Sequence, residues 1–172
     1  CDIKPSNIAF FVSSHSWKLL DTDMCVTKGQ DCLIQYTPMY ASPEMMQAEE
    51  RGQTTIVPET SIDMFAFGVL MFEVLTGKDS YTSLPIKDRI VCVSGNRFYG
   101  LSGTRNTVKE CLCGRQELPS LESVEERQAR RLIGNLLCMK SGERWSAQRA
   151  LNHAVFKSAD DTTQRAAGMQ RV

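Results

Sequence analysis

The sequence predicts an α+β domain that is predominantly α-helical. Two short extended segments near the amino terminus have the composition and separation of a β-hairpin. A strongly apolar stretch, residues 61–77, has the length and the end signals of a helix. Two further helical patterns lie between residues 121 and 157. The chain has 172 residues, which suits one domain with a single core.

Composition and charge exclude several classes of protein. Apolar residues make up 42% of the chain and charged residues 23%, as in globular domains. The 20 basic and 20 acidic side chains balance, so the basic excess of nucleic-acid-binding or membrane-surface proteins is missing. The longest apolar run, residues 64–72, is far shorter than the roughly 20 residues that cross a bilayer. We therefore predict no nucleic-acid partner and no membrane partner.

The seven cysteines predict reduced thiols in an intracellular protein, either cytoplasmic or nuclear. They are odd in number and scattered, and only Cys111 and Cys113 lie close together. Neither the cysteines nor the two histidines have the spacing of a zinc site, so we expect no zinc. We also expect no signal peptide, because no basic-then-apolar segment opens the sequence. Since the first residue is Cys1 and not Met, we expect a fragment of a longer chain.

The first element in chain order is the hairpin in residues 2–21. Residues 8–11 and 17–20 are rich in aromatic and aliphatic side chains, which favour strands. The polar run between them favours a turn. The next stretch, residues 22–60, has no sustained period and contains three prolines and two glycines, so we predict one long loop or several loops.

The clearest helix is predicted for residues 61–77. Ser61 is the expected N-cap, and Asp63 lies in the first turn, where the helix dipole favours a carboxylate. Gly77 can end the helix in a left-handed conformation. Apolar side chains cover every face, so we expect this helix to be buried on all sides at the centre of the fold.

The last third of the chain is predicted to contain two helices and a tail. Residues 78–120 have no clear pattern and are expected to be irregular. Residues 121–139 carry apolar side chains on one face and mostly charged ones opposite, which predicts an amphipathic helix. Ser146 is expected to cap a shorter helix that runs as far as Phe156. The remaining residues, 158–172, form a polar tail that we predict to be mobile.

Five short motifs occur in order along this framework. They are CDIKPSN at 1–7, LLDTD at 19–23, YTPMYASPE at 36–44, SIDMFAFG at 61–68, and Glu143-Arg144 followed by ALNH at 150–153. Taken in this order, they resemble five parts of eukaryotic protein kinases of the Ser/Thr type. These parts are the catalytic loop, the metal-binding loop, the end of the activation segment, the central helix and the last conserved segment.

The resemblance covers residues 2–156 and implies the carboxy-terminal lobe of a protein kinase. The amino-terminal lobe and the helices before the catalytic loop have no counterpart in these residues, so we expect them upstream in the parent chain. We expect the isolated 172 residues to be inactive for that reason. The implied partial lobe spans residues 1–157, with catalytic loop and hairpin in 1–21, activation segment in 21–44, central buried helix in 61–77 and late helices in 121–157.

The resemblance implies transfer of the γ-phosphate of ATP to a hydroxyl of a protein substrate, with Mg²⁺ as the metal. Asp2 would accept or orient the proton of the attacking hydroxyl, which requires a carboxylate. Lys4 would steady the transferring phosphate, and Thr37 would hold Asp2 and Lys4. Asn7 and Asp21 would bind Mg²⁺, because oxygen ligands suit a hard cation.

Three further residues are expected to be structural. The resemblance implies that Glu44 and Arg144 form a buried ion pair between the activation segment and the late helices. The alternative for these two residues is a pair of solvated charges. Asp63 is structural in either of two ways, as a favourable charge at the helix start or as an acceptor for the backbone of the catalytic loop.

Some positions depart from the family's pattern and leave a second function open. Cys1 stands where many members have an arginine, so we do not expect Thr27 to act as a phosphorylation switch. Thr22 and Asp23 replace the phenylalanine and glycine of the metal loop, and Asp23 lacks the backbone freedom of glycine. These changes favour the alternative of a pseudokinase or scaffold that binds proteins without catalysis. A small-molecule phosphotransferase is disfavoured, because the segment before Glu44 suits a docking platform for peptides.

Overall fold

The computed structural model describes residues 2–77, 112 and 121–156, together with the backbone of residues 91–94 and 97–100. Short antiparallel strand pairs accompany a mainly helical architecture, in agreement with the predicted α+β class. The helices include α1 (Pro43–Glu50), α2 (Thr60–Thr76), α3 (Arg127–Leu136) and α4 (Ala147–Leu151). The strands are β1 (Ile8–Phe11), β2 (Ser16–Leu19), β3 (Cys32–Leu33), β4 (Thr55–Ile56), β5 (Val91–Ser94) and β6 (Arg97–Gly100).

The predicted amino-terminal hairpin is confirmed. Strands β1 and β2 pair antiparallel, with Ile8 opposite Leu19 and Phe10 opposite Trp17. The second strand begins at residue 16, one residue earlier than predicted. His15 makes the turn possible by adopting a left-handed conformation, with φ of 44°. The rings of Phe10 and Trp17 lie 5.4 Å apart on one face of the hairpin.

The prediction of loops throughout residues 22–60 is wrong, because this stretch contains α1 and the short β3–β4 pair. The hydroxyl of Ser42 caps α1 by accepting a hydrogen bond from the backbone N–H of Met45 at 3.4 Å. Pro43 occupies the first helical turn, where its missing N–H is not needed, and Glu44 follows it there. These local start signals are in the sequence, but the proline is easily taken for a loop signal.

Helix α2 lies at the centre of the core, although two details of its prediction are wrong. Its N-cap is Glu59, without a side-chain capping bond, so Ser61 already lies inside the helix. Gly77 ends the helix with φ of 66°, as predicted. Burial on all sides does not extend to the last turn, where Val74 is 70% exposed and Leu75 is 52% exposed. Earlier turns bury their large side chains, with Phe65, Val69 and Phe72 each at most 1% exposed.

Helix α3 packs directly against α2 through a glycine contact. A Cβ atom added at Gly68 would lie 2.9 Å from Leu136 Cβ and from Leu137 Cδ2, so any larger residue would push the helices apart. The predicted helix over 121–139 is too long, because α3 begins only after Glu126. The carboxylate of Glu126 caps α3 by accepting a hydrogen bond from the backbone N–H of Gln128 at 2.8 Å.

The remaining predictions concern the end of the chain and the middle stretch. Ser146 caps α4 as predicted, accepting from the backbone N–H of Arg149 at 3.3 Å. The prediction that this helix runs as far as Phe156 is wrong, because α4 ends at Leu151 and a turn follows at residues 152–153. The irregular structure predicted for 78–120 is wrong at β5 and β6, which form an antiparallel pair. The predicted tail at 158–172 lies outside the described residues. Among the described helices, none has the length and apolar character to span a membrane.

Candidate active site

Three of the predicted site residues form a closed polar triangle. The ammonium of Lys4 donates hydrogen bonds to Asp2 Oδ2 and, at 3.0 Å, to Thr37 Oγ1. The hydroxyl of Thr37 in turn donates to Asp2 Oδ2 at 3.1 Å. The side chains of Lys4 and Asp2 are each 16% exposed, so solvent still reaches both. A carboxylate and an ammonium are therefore held together at the surface of the core, where a third molecule can approach them.

The loop before β1 is shaped by Asn7. This residue ends a short 3₁₀ turn, Pro5–Asn7, and its backbone N–H donates to the carbonyl oxygen of Lys4 at 3.0 Å. Its side-chain amide donates to the backbone carbonyl of Asp2 at 2.9 Å. Asn7 is only 6% exposed. The amide nitrogen therefore fixes the loop that carries Asp2 and Lys4, and the amide oxygen is the atom suited to a cation.

Asp21 reaches the same end of the hairpin through the backbone. The N–H of Leu20 donates to the carbonyl oxygen of Asn7 at 2.7 Å, which brings the end of β2 beside the start of β1. Asp21 follows in a left-handed conformation, with φ of 53°, and is exposed to solvent. Apart from His15, it is the one described non-glycine residue with a positive φ. The backbone freedom that we expected to matter at Asp23 is therefore used at Asp21.

The chemistry of these donors fits Mg²⁺. Asn7 offers an amide oxygen and Asp21 a carboxylate, and magnesium in proteins takes one or two carboxylates, with water and phosphate oxygens completing its shell. Within the described residues, no group of three or more His, Cys, Asp or Glu side chains forms a closed metal site. The side-chain oxygens of Asn7 and Asp21 could hold such a cation.

Glu44 and Arg144 form the contact that the resemblance implies. Arg144 Nη1 lies 2.8 Å from Glu44 Oε1, and Nη2 lies 3.1 Å from Oε2, which is a bidentate pair. The guanidinium also donates to the backbone carbonyls of Ser61 at 2.7 Å and Cys138 at 2.9 Å. The Arg144 side chain is fully buried, whereas that of Glu44 is 24% exposed. The pair therefore joins α1, the start of α2 and the segment after α3.

The order of these elements agrees with the comparison of the sequence with known proteins. Residues 1–156 match the protein kinase domain family. This chain belongs to the protein kinase family. The match covers all five motifs that carry the resemblance, from the loop of Asp2 to the segment that ends at His153.

Three relatives of this kinase chain are named Ser/Thr or mitogen-activated kinases. Serine/threonine-protein kinase MRCK beta of Homo sapiens is 36% identical over 85 residues, which cover 46% of this chain and 5% of that protein. Mitogen-activated protein kinase kinase kinase 17 of Arabidopsis thaliana is 24% identical over 165 residues, which cover 94% of this chain and 38% of that protein. Serine/threonine-protein kinase WNK2 of Mus musculus is 25% identical over 163 residues, which cover 94% of this chain and 6% of that protein. The chain thus spans well under half the length of each of these relatives.

Two contacts of this kinase chain were missed by the sequence analysis. Tyr40 donates a hydrogen bond to Glu73 Oε2 at 2.6 Å, deep in the core, where Glu73 is 2% exposed. Tyr36 donates to the carboxylate of Glu49. The sequence contains a signal for the Tyr40–Glu73 contact, because Glu73 is the single charged residue between Met64 and Gly77, and a buried carboxylate requires a partner. The sequence contains no signal for the Tyr36–Glu49 contact, since each of these residues suits a loop or an exposed helix face equally well.

Asp63 occupies the first turn of α2, as predicted, and is half-buried. It lines a cavity of about 200 Å³ between that turn and the segment that contains Cys25 and Lys28. In the first turn the positive end of the helix dipole favours a carboxylate. The placement is compatible with both structural roles that the sequence left open.

Proposed function

We propose that this chain supplies the catalytic residues of a Ser/Thr protein kinase that transfers the γ-phosphate of ATP to a hydroxyl of a protein substrate. The triangle of Asp2, Lys4 and Thr37 carries the proposal. Phosphoryl transfer requires positioning and charge neutralisation more than covalent chemistry, and the triangle holds a base and a cation at one place. The names of the relatives favour serine and threonine as acceptors.

The proposed roles of the triangle follow from its charges. Asp2 accepts or orients the proton of the attacking hydroxyl through a carboxylate oxygen. Lys4 steadies the negative charge on the phosphate in transfer, and its ammonium also donates a hydrogen bond to Asp2 Oδ2. Thr37 links Asp2 and Lys4 to the segment before α1, because its hydroxyl accepts a hydrogen bond from Lys4 and donates one to Asp2. Thr37 is therefore a positioning residue for both.

Asn7 and Asp21 are the proposed ligands of Mg²⁺. When bound, the metal would neutralise the phosphate oxygens of ATP. Asn7 contributes a side chain that its own hydrogen bond to the backbone of Asp2 already orients. Asp21 contributes an exposed carboxylate at the end of the hairpin. Both ligands lie on the side of the hairpin that carries Asp2.

We further propose that residues 1–157 are part of the carboxy-terminal lobe, with Glu44, Asp63 and Arg144 as structural residues. The remaining parts of an ATP site, a Gly-rich loop and a strand lysine, are proposed to belong to the parent polypeptide, and residues 1–172 alone are proposed to be inactive. A protein substrate inside the cell, in the cytoplasm or the nucleus, is the proposed partner.

The alternative is a pseudokinase or scaffold module that binds proteins without catalysis. Thr22 and Asp23 favour this alternative, because Asp23 adds a negative charge two residues from the proposed metal ligand Asp21. A second carboxylate there raises the repulsion against the phosphates of ATP unless a cation neutralises it.

Phosphate transfer by the natural full-length polypeptide that contains this sequence tests the proposal. Asp2→Asn keeps the shape of the side chain and removes the base, so we expect transfer to a protein substrate to fall about 100-fold or more. Asp31→Asn is the matched control, since Asp31 is exposed in the segment after the metal loop and is expected to retain full activity. Equal rates for Asp2→Asn and the unchanged protein would reject Asp2 as the base. No transfer by either would favour the scaffold.

A further inference from the structure

Tyr36 connects the triangle to α1 through its side chain. The phenolic O–H donates to the carboxylate of Glu49 in the last turn of α1, and the same oxygen lies 3.3 Å from Met46 Sδ. The ring is half-buried and packs against the core cluster that contains Met46 and Phe65. Packing fixes the position of the ring, and a hydrogen bond to an ionised acceptor fixes its hydroxyl end.

Tyr36 precedes Thr37 directly, and Thr37 closes the triangle with Asp2 and Lys4. The orientation of one residue therefore restricts the direction from which the next side chain approaches, because the peptide bond between them is planar. On the carboxy-terminal side of Thr37, the N–H of Tyr40 donates to the carbonyl oxygen of Thr37 at 2.9 Å. On the amino-terminal side, the other supports of this segment are short. Ile34 donates to the carbonyl oxygen of Thr54 at 2.9 Å, beyond a β3–β4 pair of only two residues per strand.

We propose that Tyr36 and Glu49 form a clamp that positions Thr37, and through Thr37 the carboxylate of Asp2 and the ammonium of Lys4. The catalytic meaning of the clamp rests on the proposed function, whereas the contact between Tyr36 and Glu49 is observed directly. The clamp reaches the triangle through Thr37, which follows Tyr36 in the chain and bonds to Lys4 and Asp2. This makes Tyr36 and Glu49 positioning residues, distinct from the groups that would meet the substrate.

Hydrogen exchange read by mass spectrometry tests the clamp in the natural full-length polypeptide. Tyr36→Phe removes only the hydroxyl. We expect exchange to become about threefold faster in peptides covering residues 34–40 and also 2–7, where the N–H of Asn7 bonded to Lys4 reports on the loop. Glu49→Gln retains an acceptor and is expected to exchange like the unchanged protein, whereas Glu49→Ala should match Tyr36→Phe.

Ser146→Ala controls for a general loss of stability, because it removes the cap of α4 and leaves the clamp intact. Exchange in residues 2–7 that stays unchanged in Tyr36→Phe would overturn the proposal. The same acceleration in Ser146→Ala would overturn it as well, since the effect would then be global.

Kinetics supply a second readout that a merely structural role would not change. At a temperature where every variant is folded, Tyr36→Phe is expected to lower kcat about tenfold and leave KM for ATP unchanged, because small misplacements of a reacting group slow the chemical step. An unchanged kcat would overturn the positioning role. If the unchanged protein transfers no more phosphate than Asp2→Asn, the proposed function fails, and the exchange experiment alone decides the clamp.

Discussion

Two ion pairs of this kinase chain differ in the burial of their basic side chains. In the first, the guanidinium of Arg144 is fully buried and pairs with both oxygens of Glu44. In the second, the ammonium of Lys4 and the carboxylate of Asp2 are each 16% exposed. The first pair has further partners in two backbone carbonyls and in the ring of Phe65, whose centre lies 5.0 Å from the guanidinium carbon.

The two pairs therefore differ in whether the basic group reaches solvent. A fully buried guanidinium cannot exchange a partner for a ligand without a large desolvation cost. Lys4 and Asp2 contact each other and Thr37, and they still reach solvent. Burial of the basic side chain distinguishes these pairs better than the identity of the charges does.

The largest expected effect is the loss of the buried pair. Arg144→Ala is expected to lower the free energy of unfolding by about 3–5 kcal/mol, because Glu44 loses its partner and two backbone carbonyls lose their donor. Urea unfolding of the domain, followed by the fluorescence of Trp145, measures the change. Arg131→Ala removes an exposed arginine from α3 and is expected to change stability by no more than about 0.5 kcal/mol. An Arg144→Ala variant as stable as the parent would contradict the structural role.

Loss of charge in the partly buried pair of Lys4 and Asp2 is expected to affect activity more than stability. Lys4→Met retains the aliphatic stem and removes the charge, so we expect stability to fall by only about 1–2 kcal/mol, since Asp2 keeps the hydroxyl of Thr37 and contact with solvent. Phosphate transfer should fall about 100-fold, since the positive charge that is proposed to stabilise the transferring phosphate is lost. Parallel measurement of unfolding and transfer in this variant checks the claim. A loss of stability as large as that in Arg144→Ala would erase the distinction.

A third ion pair extends the comparison to full exposure. Lys140 Nζ lies 2.9 Å from Glu143 Oε1, and their side chains are 77% and 63% exposed. The hydrogen bond and charge of Glu143 raise the pKa of Lys140 above its ordinary value. A raised pKa means that any contribution to stability is complete below the ordinary pKa and is lost as pH rises through the raised one. At pH 7 any contribution is therefore fully present, but solvent screens a pair this exposed, so Lys140→Ala is expected to leave the urea midpoint unchanged. A clear shift would show that solvent screens such pairs less than assumed.

Much of the fold could be predicted from local signals. The hairpin of β1 and β2, the end of α2 at Gly77 and the cap of α4 at Ser146 each depend on residues close in sequence. The main error, loops throughout residues 22–60, arose because Pro43 was read as a breaker although proline suits the first turn of a helix. The other error, the length of the helix over 121–139, arose because apolar spacing alone cannot show that Glu126 caps a later start.

The candidate site was less predictable, because its contacts join residues far apart in the chain. Asp2, Lys4 and Thr37 were singled out by motif order alone, and nothing in the sequence shows their hydrogen bonds. The bond between Tyr36 and Glu49 has no local signal. Sequence analysis therefore identified the charged residues and Thr37, and it missed the contact between Tyr36 and Glu49.

By itself, the amino-acid sequence determined the first hairpin, the end of α2, the cap of α4 and which charged groups are available, since these depend on local propensity, on capping and on residue type. Only the tertiary structure decided how each charge is used. It buried Arg144 completely and left Lys4 within reach of solvent. The physical reason is that the free energy of a charge depends on its desolvation and on its partners, and both are fixed only when distant segments pack together.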